Sequence, residues 1–134
     1  MINCNIVRDN IFTIFKDTWP YEVVYPNVQS FIIPQNKIFA KIKIDYKNSY
    51  INSLGNASGK KIWTNNGDVI IEIYIPMGNT LFSAYDAAKI INDAYKAKNS
   101  DDIIYMNFAL NDKGVDGAYS QTNLVISFRY YDIR

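Results

Sequence analysis

The sequence contains no histidine and only one cysteine among its 134 residues. Histidine is the side chain that most often acts as a general base near neutral pH or as a metal ligand, so this chain lacks the usual residue for both roles. A Ser-His-Asp or Cys-His catalytic arrangement therefore cannot be assembled from this chain alone. Cys4 has no second cysteine for an internal disulfide or a cysteine metal cluster. These absences predict a protein that is not an enzyme and that needs no metal or cofactor.

Charged residues and long apolar runs are also scarce. Charged side chains make up 20% of the chain, and 14 basic against 13 acidic residues give a net charge of +1. This balance excludes a strongly basic nucleic-acid binder and an acidic disordered chain. No run approaches the roughly 18 apolar residues of a membrane helix, and the first residues lack the pattern of a signal peptide. We therefore expect a soluble, intracellular protein with no membrane partner.

What the chain does contain is apolar and aromatic: 49% hydrophobic residues and 15% aromatics, with 11 tyrosines. The length predicts one domain over residues 1–134. A domain of this size hides roughly 68–70% of the surface of its unfolded chain, which is enough for a hydrophobic core.

Two segments have the apolar spacing of helices. Val7, Ile11, Ile14 and Phe15 recur at helical intervals and predict a helix over residues 6–18, which Trp19-Pro20 ends. A second helix is predicted after Asn79 or Thr80, and its apolar stripe consists of Leu81, Ala84, Ala88, Ile91 and Tyr95.

Alternation of apolar and polar residues predicts strands over residues 38–46, 69–75, 103–110 and 118–131, with a turn over 111–117. The order of elements predicts an α+β fold. Its sheet is expected to be mostly antiparallel, with four strands or slightly more and two helices packed on one face. The strand–helix–strand step in the middle leaves a mixed sheet open.

A long polar loop is predicted between the first two strands, over residues 47–67. Long loops in compact domains are often functional, and this one carries apolar residues that a solvated loop does not need. One interpretation is that they dock on another subunit or on a partner; the other is that they fold back on their own sheet. The candidate interface residues are Tyr50, Ile51, Leu54, Lys60, Lys61 and Trp63.

Charge is segregated along the sequence. Residues 37–61 contain six lysines against one aspartate, a net charge of +5, whereas residues 62–128 contain four lysines against eight acids, a net charge of −4. Such a pattern suits head-to-tail self-association, although two solvated faces would give it as well. Lys41, Lys43 and Lys47 form a candidate basic face. Together with nearby aromatic residues, this face also suggests a platform for single-stranded nucleic acid.

Several short landmarks follow one another in a characteristic order. They are Tyr25-Pro26-Asn27, then Ser53-Leu54-Gly55, then Ile73-Tyr74-Ile75-Pro76-Met77-Gly78 with Ala84, Ala87 and Ala88, and finally Val125-Ile126-Ser127-Phe128-Arg129-Tyr130. This order, which covers residues 6–131, resembles the tail terminator or tail completion proteins of long-tailed phages. Asn79 departs from the pattern, because relatives often carry a second glycine there.

The resemblance implies a structural virion protein that forms a homohexameric ring at the head-proximal end of the tail tube. Such a ring stops tube polymerisation and offers a surface for head–tail joining. The implied partners are other copies of the chain, the tail tube protein and the head connector or stopper protein, with DNA only as it passes through the ring. The implied location is the tail of the virion, assembled in the host cytoplasm. In this setting the six candidate interface residues would contact the tube or a neighbouring subunit.

Two other functions remain open. The first is a head-side adaptor or stopper, or another minor tail protein, because these are also small α+β ring subunits. The second is a nucleic-acid-binding module that uses the basic strand face, and its affinity would fall steeply with salt.

Overall fold

A computed structural model gives the fold and describes residues 4–25, 37–51, 61–77, 84–100, 102–117 and 119–133. These described residues form two helices and five strands, an α+β fold as predicted. The elements, in chain order, are α1 (Cys4–Thr18), β1 (Glu22–Val24), β2 (Phe39–Ile51), β3 (Ile62–Pro76), α2 (Ala84–Lys96), β4 (Ile103–Asp116) and β5 (Tyr119–Ile133).

The five strands form one mixed sheet in the order β1-β2-β3-β5-β4. β1 pairs in parallel with β2, and the other three pairings are antiparallel. The parallel pair is not the one that the sequence suggested, because β5 lies between β3 and β4. The mixed character comes instead from β1, a strand of three residues that is too short to show an alternating pattern.

Both helices cover the same face of this sheet. Val69, Ile71 and Ile73 of β3 alternate inward, and their partners on β5 do the same. These residues share one buried cluster with the apolar stripes of the helices: Val7, Ile11, Ile14 and Phe15 of α1, and Ala84, Ala88, Ile91 and Tyr95 of α2. Burial of these side chains supplies the main stabilisation of the fold. The opposite side of the sheet has no described helix against it, and we name it the open face.

Two buried tyrosines tie the helices to each other and to the sheet. The Tyr95 hydroxyl of α2 donates a hydrogen bond to the Ile11 carbonyl of α1, with an O–O distance of 2.8 Å. The Tyr105 hydroxyl of β4 donates to Oδ1 of Asn10 at 2.6 Å. Burial raises the pKa of both tyrosines well above 10.0, because the phenolate would be desolvated.

The predicted loop over residues 47–67 is wrong at both ends. β2 continues to Ile51 and β3 begins at Ile62, and their residues pair in register after a bulge between Tyr46 and Asn48. These strand ends are mostly polar, so the sequence shows no regular alternation of apolar residues there. Cross-strand hydrogen bonds, such as the one that Asn66 Nδ2 donates to Asn48 Oδ1, hold them together. Residues 52–60 lie outside the described part of the chain.

The predicted turn over residues 111–117 is also too long. β4 continues to Asp116 and pairs with β5 as far as Tyr119, with bulges between Met106 and Phe108 and between Asp112 and Gly114. Gly114 and Gly117 have φ values of 77° and 61°, which glycine adopts without steric cost. Of the predicted turn, the structure describes only Gly117 as a turn residue.

Candidate interaction surface

The open face is formed by the side chains that alternate with the core residues on β2, β3, β5 and β4. Cross-strand pairing arranges them in rows, one of which contains Lys43, Ile70, Val125 and Ala109. Most members are half-buried: Lys41, Asp45, Asp68, Ile70, Glu72, Asn123, Val125, Ser127, Arg129 and Tyr131. A face of this kind is partly desolvated already, so covering it with protein costs little additional polar desolvation.

The centre of the open face is apolar. Ile70 and Val125 are direct cross-strand partners on β3 and β5. Ile104 and Met106 of β4 lie in neighbouring rows, paired with Arg129 and Ser127, and are half-buried. This centre is the part of the face that gains most from contact with another apolar surface.

One end of the open face is an aromatic cluster. The rings of Phe39 and Tyr74 stack with centroids 4.6 Å apart, and Tyr119 meets Phe39 edge-on at 5.3 Å. The Lys41 ammonium lies 5.3 Å from the Tyr74 ring centroid, a cation–π distance. Phe39 and Tyr74 are buried, so this end is packed within the chain itself.

The other end of the open face is a polar network. Lys47 Nζ lies 2.7 Å from Asp45 Oδ2 and 3.8 Å from Asp68 Oδ2, and Ser127 Oγ donates to Asp68 Oδ1 at 2.9 Å. The hydrogen bond with Asp45 and the nearby negative charges raise the pKa of Lys47. Arg129 Nε donates to the neutral Oδ1 of Asn66 at 3.0 Å. Lys47 therefore has carboxylate partners, whereas the guanidinium of Arg129 donates to a neutral amide oxygen.

In the folded chain, the candidate basic face contains acidic as well as basic side chains. Lys41 and Lys43 lie on the open face, and Lys47 lies at the bulge beside it. Acidic residues share this surface, because Lys41 pairs across the strands with Glu72 and Lys47 contacts two aspartates. The charge segregation of the sequence is thus partly cancelled by the pairing of β2 with β3.

Four of the six candidate interface residues lie together at one end of the sheet. Tyr50 and Ile51 are 46% and 41% exposed at the end of β2, Ile51 pairs with Trp63, and Lys61 is exposed just before β3. Tyr50 lies on the open face, and Ile51 and Trp63 lie on the other side of the strands. Leu54 and Lys60 fall outside the described residues.

A groove of about 410 Å³ lies at this same end, on the helix side of the sheet. Its wall includes Cys4 of α1, Tyr46 and Ser49 of β2, and Asn65 of β3. Asn65 is buried, and its Nδ2 donates to Asp132 Oδ1 at 3.1 Å while its Oδ1 accepts a hydrogen bond from Ser49. Burial raises the pKa of Tyr46. Asn65 continues the odd-numbered inward positions of β3, but as a polar residue it gives no apolar signal in the sequence and was not predicted.

The outer side of α2 is a second exposed surface that the sequence analysis did not single out. Ile90 is 60% exposed and lies between Asp86 and Asp93 at positions i−4 and i+3, which puts the three side chains on one stripe. This stripe lies opposite the buried stripe of the helix. We name Asp86, Ile90 and Asp93 the outer stripe of α2.

Two exposed surfaces, the open face and the outer stripe of α2, stand out among the described residues. Among them, no three Cys, Asp or Glu side chains are grouped so as to hold a metal ion. No helix in the described ranges has the length and apolar character needed to cross a membrane. What this arrangement can do is bind another macromolecule through the open face or the outer stripe of α2.

Comparison with known proteins supports the fold. No protein-family model matches the chain. No curated protein matches it either. Solved structures do resemble it: 28 chains match, and one aligns over 95% of this chain and 95% of its own length with a TM-score of 0.58 at 13% identity. At that identity the similarity shows a shared fold across nearly the whole chain, and the fold alone.

Proposed function

We propose that the chain is a structural subunit of a phage tail, which assembles into a ring at the head-proximal end of the tail tube. In this role the ring terminates tube polymerisation and provides the surface to which the head joins. The order of the sequence landmarks supports the proposal, as does a sheet with one face available for contact. The open face, with an apolar centre between charged side chains, is the structural observation that carries it.

The size of the open face suits a subunit interface. Its four long strands contain 13, 15, 14 and 15 residues. With about 3.3 Å per residue along a strand and about 4.8 Å between strands, they cover roughly 900 Å². A standard stable interface buries about 800 Å² on each partner. The footprint of the four strands, which includes the buried aromatic end, is therefore similar in size to one such interface.

Nucleic acid is a poorer fit to the same surface. Asp45, Asp68 and Glu72 lie among the lysines of the open face, and two of these acids contact Lys47. A phosphate backbone needs uninterrupted positive charge, and these carboxylates would repel it. A head-side adaptor or stopper remains the alternative, because such a ring would use an interface of the same kind.

The test is to remove the gene from the phage or prophage that encodes it and to examine the lysate by electron microscopy. The proposal predicts tails of unregulated length together with heads that carry no tail, and rescue by the wild-type gene. Tails of normal length that fail to attach to heads would overturn the terminator role in favour of an adaptor or stopper. Normal virions would overturn both.

A further inference from the structure

The two outer edges of the sheet belong to different strands. β4 forms one edge, and β2 forms most of the other, because the short β1 pairs only with Phe39–Lys41. Among the described residues, no strand pairs with the outer side of β4 or with the outer side of β2 beyond Lys41. Backbone N–H and C=O groups along such an edge can pair with a further strand.

The first part of the β4 edge is closed by the residues that precede it. Tyr105 N donates to Asn99 Oδ1 at 2.7 Å, and Asn99 Nδ2 donates to the Tyr105 carbonyl at 3.4 Å. Ile103 N donates to Ser100 Oγ at 3.3 Å, and the Ile103 carbonyl accepts from Ser100 N at 2.9 Å. The backbone groups of Ile103 and Tyr105 therefore point away from β5, and their outward sites are already occupied.

The middle of β4 has no such cap. β5 pairs with β3 without a bulge, so its backbone groups alternate strictly between β3 and β4. Phe128, opposite Tyr105, points its groups to β3, and so does Ile126, two residues earlier. Phe108, the partner of Ile126, and Leu110 beyond it therefore point their N–H and C=O groups outward. Within the described ranges, no group is hydrogen-bonded to them.

The β2 edge has outward groups of the same kind. Val69 of β3 pairs with Ile126 on one side and with Ile44 on the other. The backbone groups of Val69 point to β5, so those of Ile44, and of Tyr46 two residues later, point to the outer edge. In the described part of the chain, these groups also have no hydrogen-bond partner.

We infer that the middle of β4 in one copy pairs with the β2 edge of a second copy and continues its sheet. The paired residues are Leu110 with Ile44 and Phe108 with Tyr46, which gives about four backbone hydrogen bonds between the copies. The two strands run antiparallel, because three antiparallel pairings separate them within one chain and a copy placed beside the sheet keeps its direction. This inference deepens the proposed function, on which it rests, because it names the edges that join neighbouring subunits.

The side chains on the helix side of these two edges are apolar. Phe108, Leu110 and Ile44 are half-buried and pack against the margin of the core, and Tyr46 is 48% exposed. Pairing of the strands places the two residues of β4 against the two residues of β2. The core of one copy then continues into the next, and the apolar contact adds to the backbone hydrogen bonds.

The side chains on the open face allow the same register. Lys43 lies opposite Asn111, and Asp45 lies opposite Ala109, so neither charge meets a like charge directly across the strands. The open faces of successive copies lie on one side of the continued sheet. They therefore stay available for a subunit of an adjacent ring.

A second copy of the chain is the partner that fits both edges. Within one copy, β3 and β5 lie between β2 and β4, so the two edges cannot meet. A contact between two β4 edges would end at a dimer and leave both β2 edges unused. A contact between different edges leaves one of each at every step, and it forms a ring when the rotation closes.

Cross-linking tests which edges meet. Cys4 is exposed, and Cys4→Ser removes it, so that each variant carries a single cysteine through Lys43→Cys or Asn111→Cys. Residues that are directly opposed have Cβ atoms about 5 Å apart, which a short bis-maleimide spans. The reagent should join the two variants when they are mixed, and should join neither variant to itself. Tyr85→Cys on α2, mixed with Lys43→Cys, is the matched control and should give no product.

A proline at position 110 tests the backbone pairing. Leu110→Pro removes the outward N–H and no hydrogen bond to β5, and proline is tolerated on an edge strand. Leu110→Ala is the matched control, because it shortens the same side chain and keeps the N–H. In analytical ultracentrifugation over a concentration series, the proline variant should associate about tenfold or more weakly than the alanine variant. Urea denaturation establishes that both are folded; if the proline variant is not, the cross-linking experiment decides.

The outcomes separate this contact from the proposed function. A product of Asn111→Cys with itself would replace the inferred contact by a symmetric one between two β4 edges. A mixture that gives no product, equal association of the proline and alanine variants, or a wild-type chain that stays monomeric would also overturn it. In each case the tail-length experiment still decides the proposed function independently.

Discussion

Gly67 is the residue whose identity the packing dictates most directly. It pairs with Phe128 on β5, and the ring of Phe128, which is fully buried, crosses it. A Cβ at position 67 would lie 2.6 Å from Phe128 Cζ and 2.9 Å from the backbone oxygen of Asp45. Neither atom can retreat easily, since the ring is held in the core and the oxygen belongs to β2. A glycine in the middle of a strand here serves close packing.

Gly67→Ala should therefore lower the free energy of unfolding by about 1–3 kcal/mol, the usual cost of overpacking a core. Urea denaturation measures this. Gly114→Asn is the matched control: nothing lies within 4 Å of a Cβ at Gly114, and asparagine tolerates its φ of 77°. If both substitutions had the same small effect, the packing of Phe128 over Gly67 would be wrong.

The Tyr95 hydroxyl is the residue-scale link between the two helices. Tyr95→Phe removes the hydrogen bond to the Ile11 carbonyl, which then keeps only its bond within α1. We expect the free energy of unfolding to fall by about 0.5–1.5 kcal/mol near pH 8. Tyr85→Phe, at a side chain that is 61% exposed, should change stability by less than about 0.5 kcal/mol.

The pH dependence gives an independent check on Tyr95. Its folded-state pKa is raised above the ordinary 10.0, so the hydroxyl stays protonated in the folded chain while the unfolded chain ionises. Above pH 10 the unfolded chain binds fewer protons, and stability falls by up to about 1.4 kcal/mol per pH unit for this group. The Tyr95→Phe variant lacks this group, so its free energy of unfolding should fall less steeply with pH. The difference in free energy of unfolding between wild type and Tyr95→Phe should therefore become smaller from pH 9 to pH 11. Parallel curves would contradict the buried position of the hydroxyl.

At the scale of elements, the polar ends of β2 and β3 depend on side-chain hydrogen bonds rather than on apolar contacts. Asn65 joins three strands, because it accepts from Ser49 on β2 and donates to Asp132 on β5. Strand ends held in this way open locally at a lower cost than core strands.

Asn65→Ala should loosen this end alone. Hydrogen exchange followed by mass spectrometry should show faster exchange at residues 49–51 and 62–66, with α1 and α2 unchanged. Lys61→Ala, at an exposed position in the same region, is the control and should leave exchange as in wild type. Uniformly faster exchange across the chain would instead show that Asn65 supports the global fold.

These polar strand ends also show how far the sequence could predict the elements. Where a strand faces the core, as at Ile71 and Ile73, apolar alternation locates it; α1 and α2 are located by the same logic at helical spacing. Beyond the core the regular alternation stops. Tyr50, Ile51 and Trp63 are apolar, but the polar run between them indicates a loop, so the sequence predicts neither the continuation of β2 to Ile51 nor the start of β3 at Ile62. The extension of β4 to Asp116 lacks this alternation as well. β1, with three residues, is recognisable only from its pairing with β2.

At the scale of the whole molecule, the candidate surface could be predicted only in part. The sequence predicts Tyr50, Ile51, Lys61 and Trp63 as interface residues of a loop, and the pairing of β2 with β3 places them at one end of the sheet. The open face and the outer stripe of α2 combine residues that are far apart in sequence, such as Lys43 with Arg129. Which cations meet acids and which do not is decided by strand register, and that information is absent from a one-dimensional charge pattern.

We propose above that this chain closes into a ring with copies of itself. Native mass spectrometry of the purified chain, alone and with isolated tail tubes, tests it most directly. The family resemblance implies a ring of six copies of the 15.4 kDa chain. We therefore expect one species of about 92 kDa, either in free solution or in the presence of tube ends. A chain that remains a monomer under both conditions, or that forms an open series of sizes, would contradict the account.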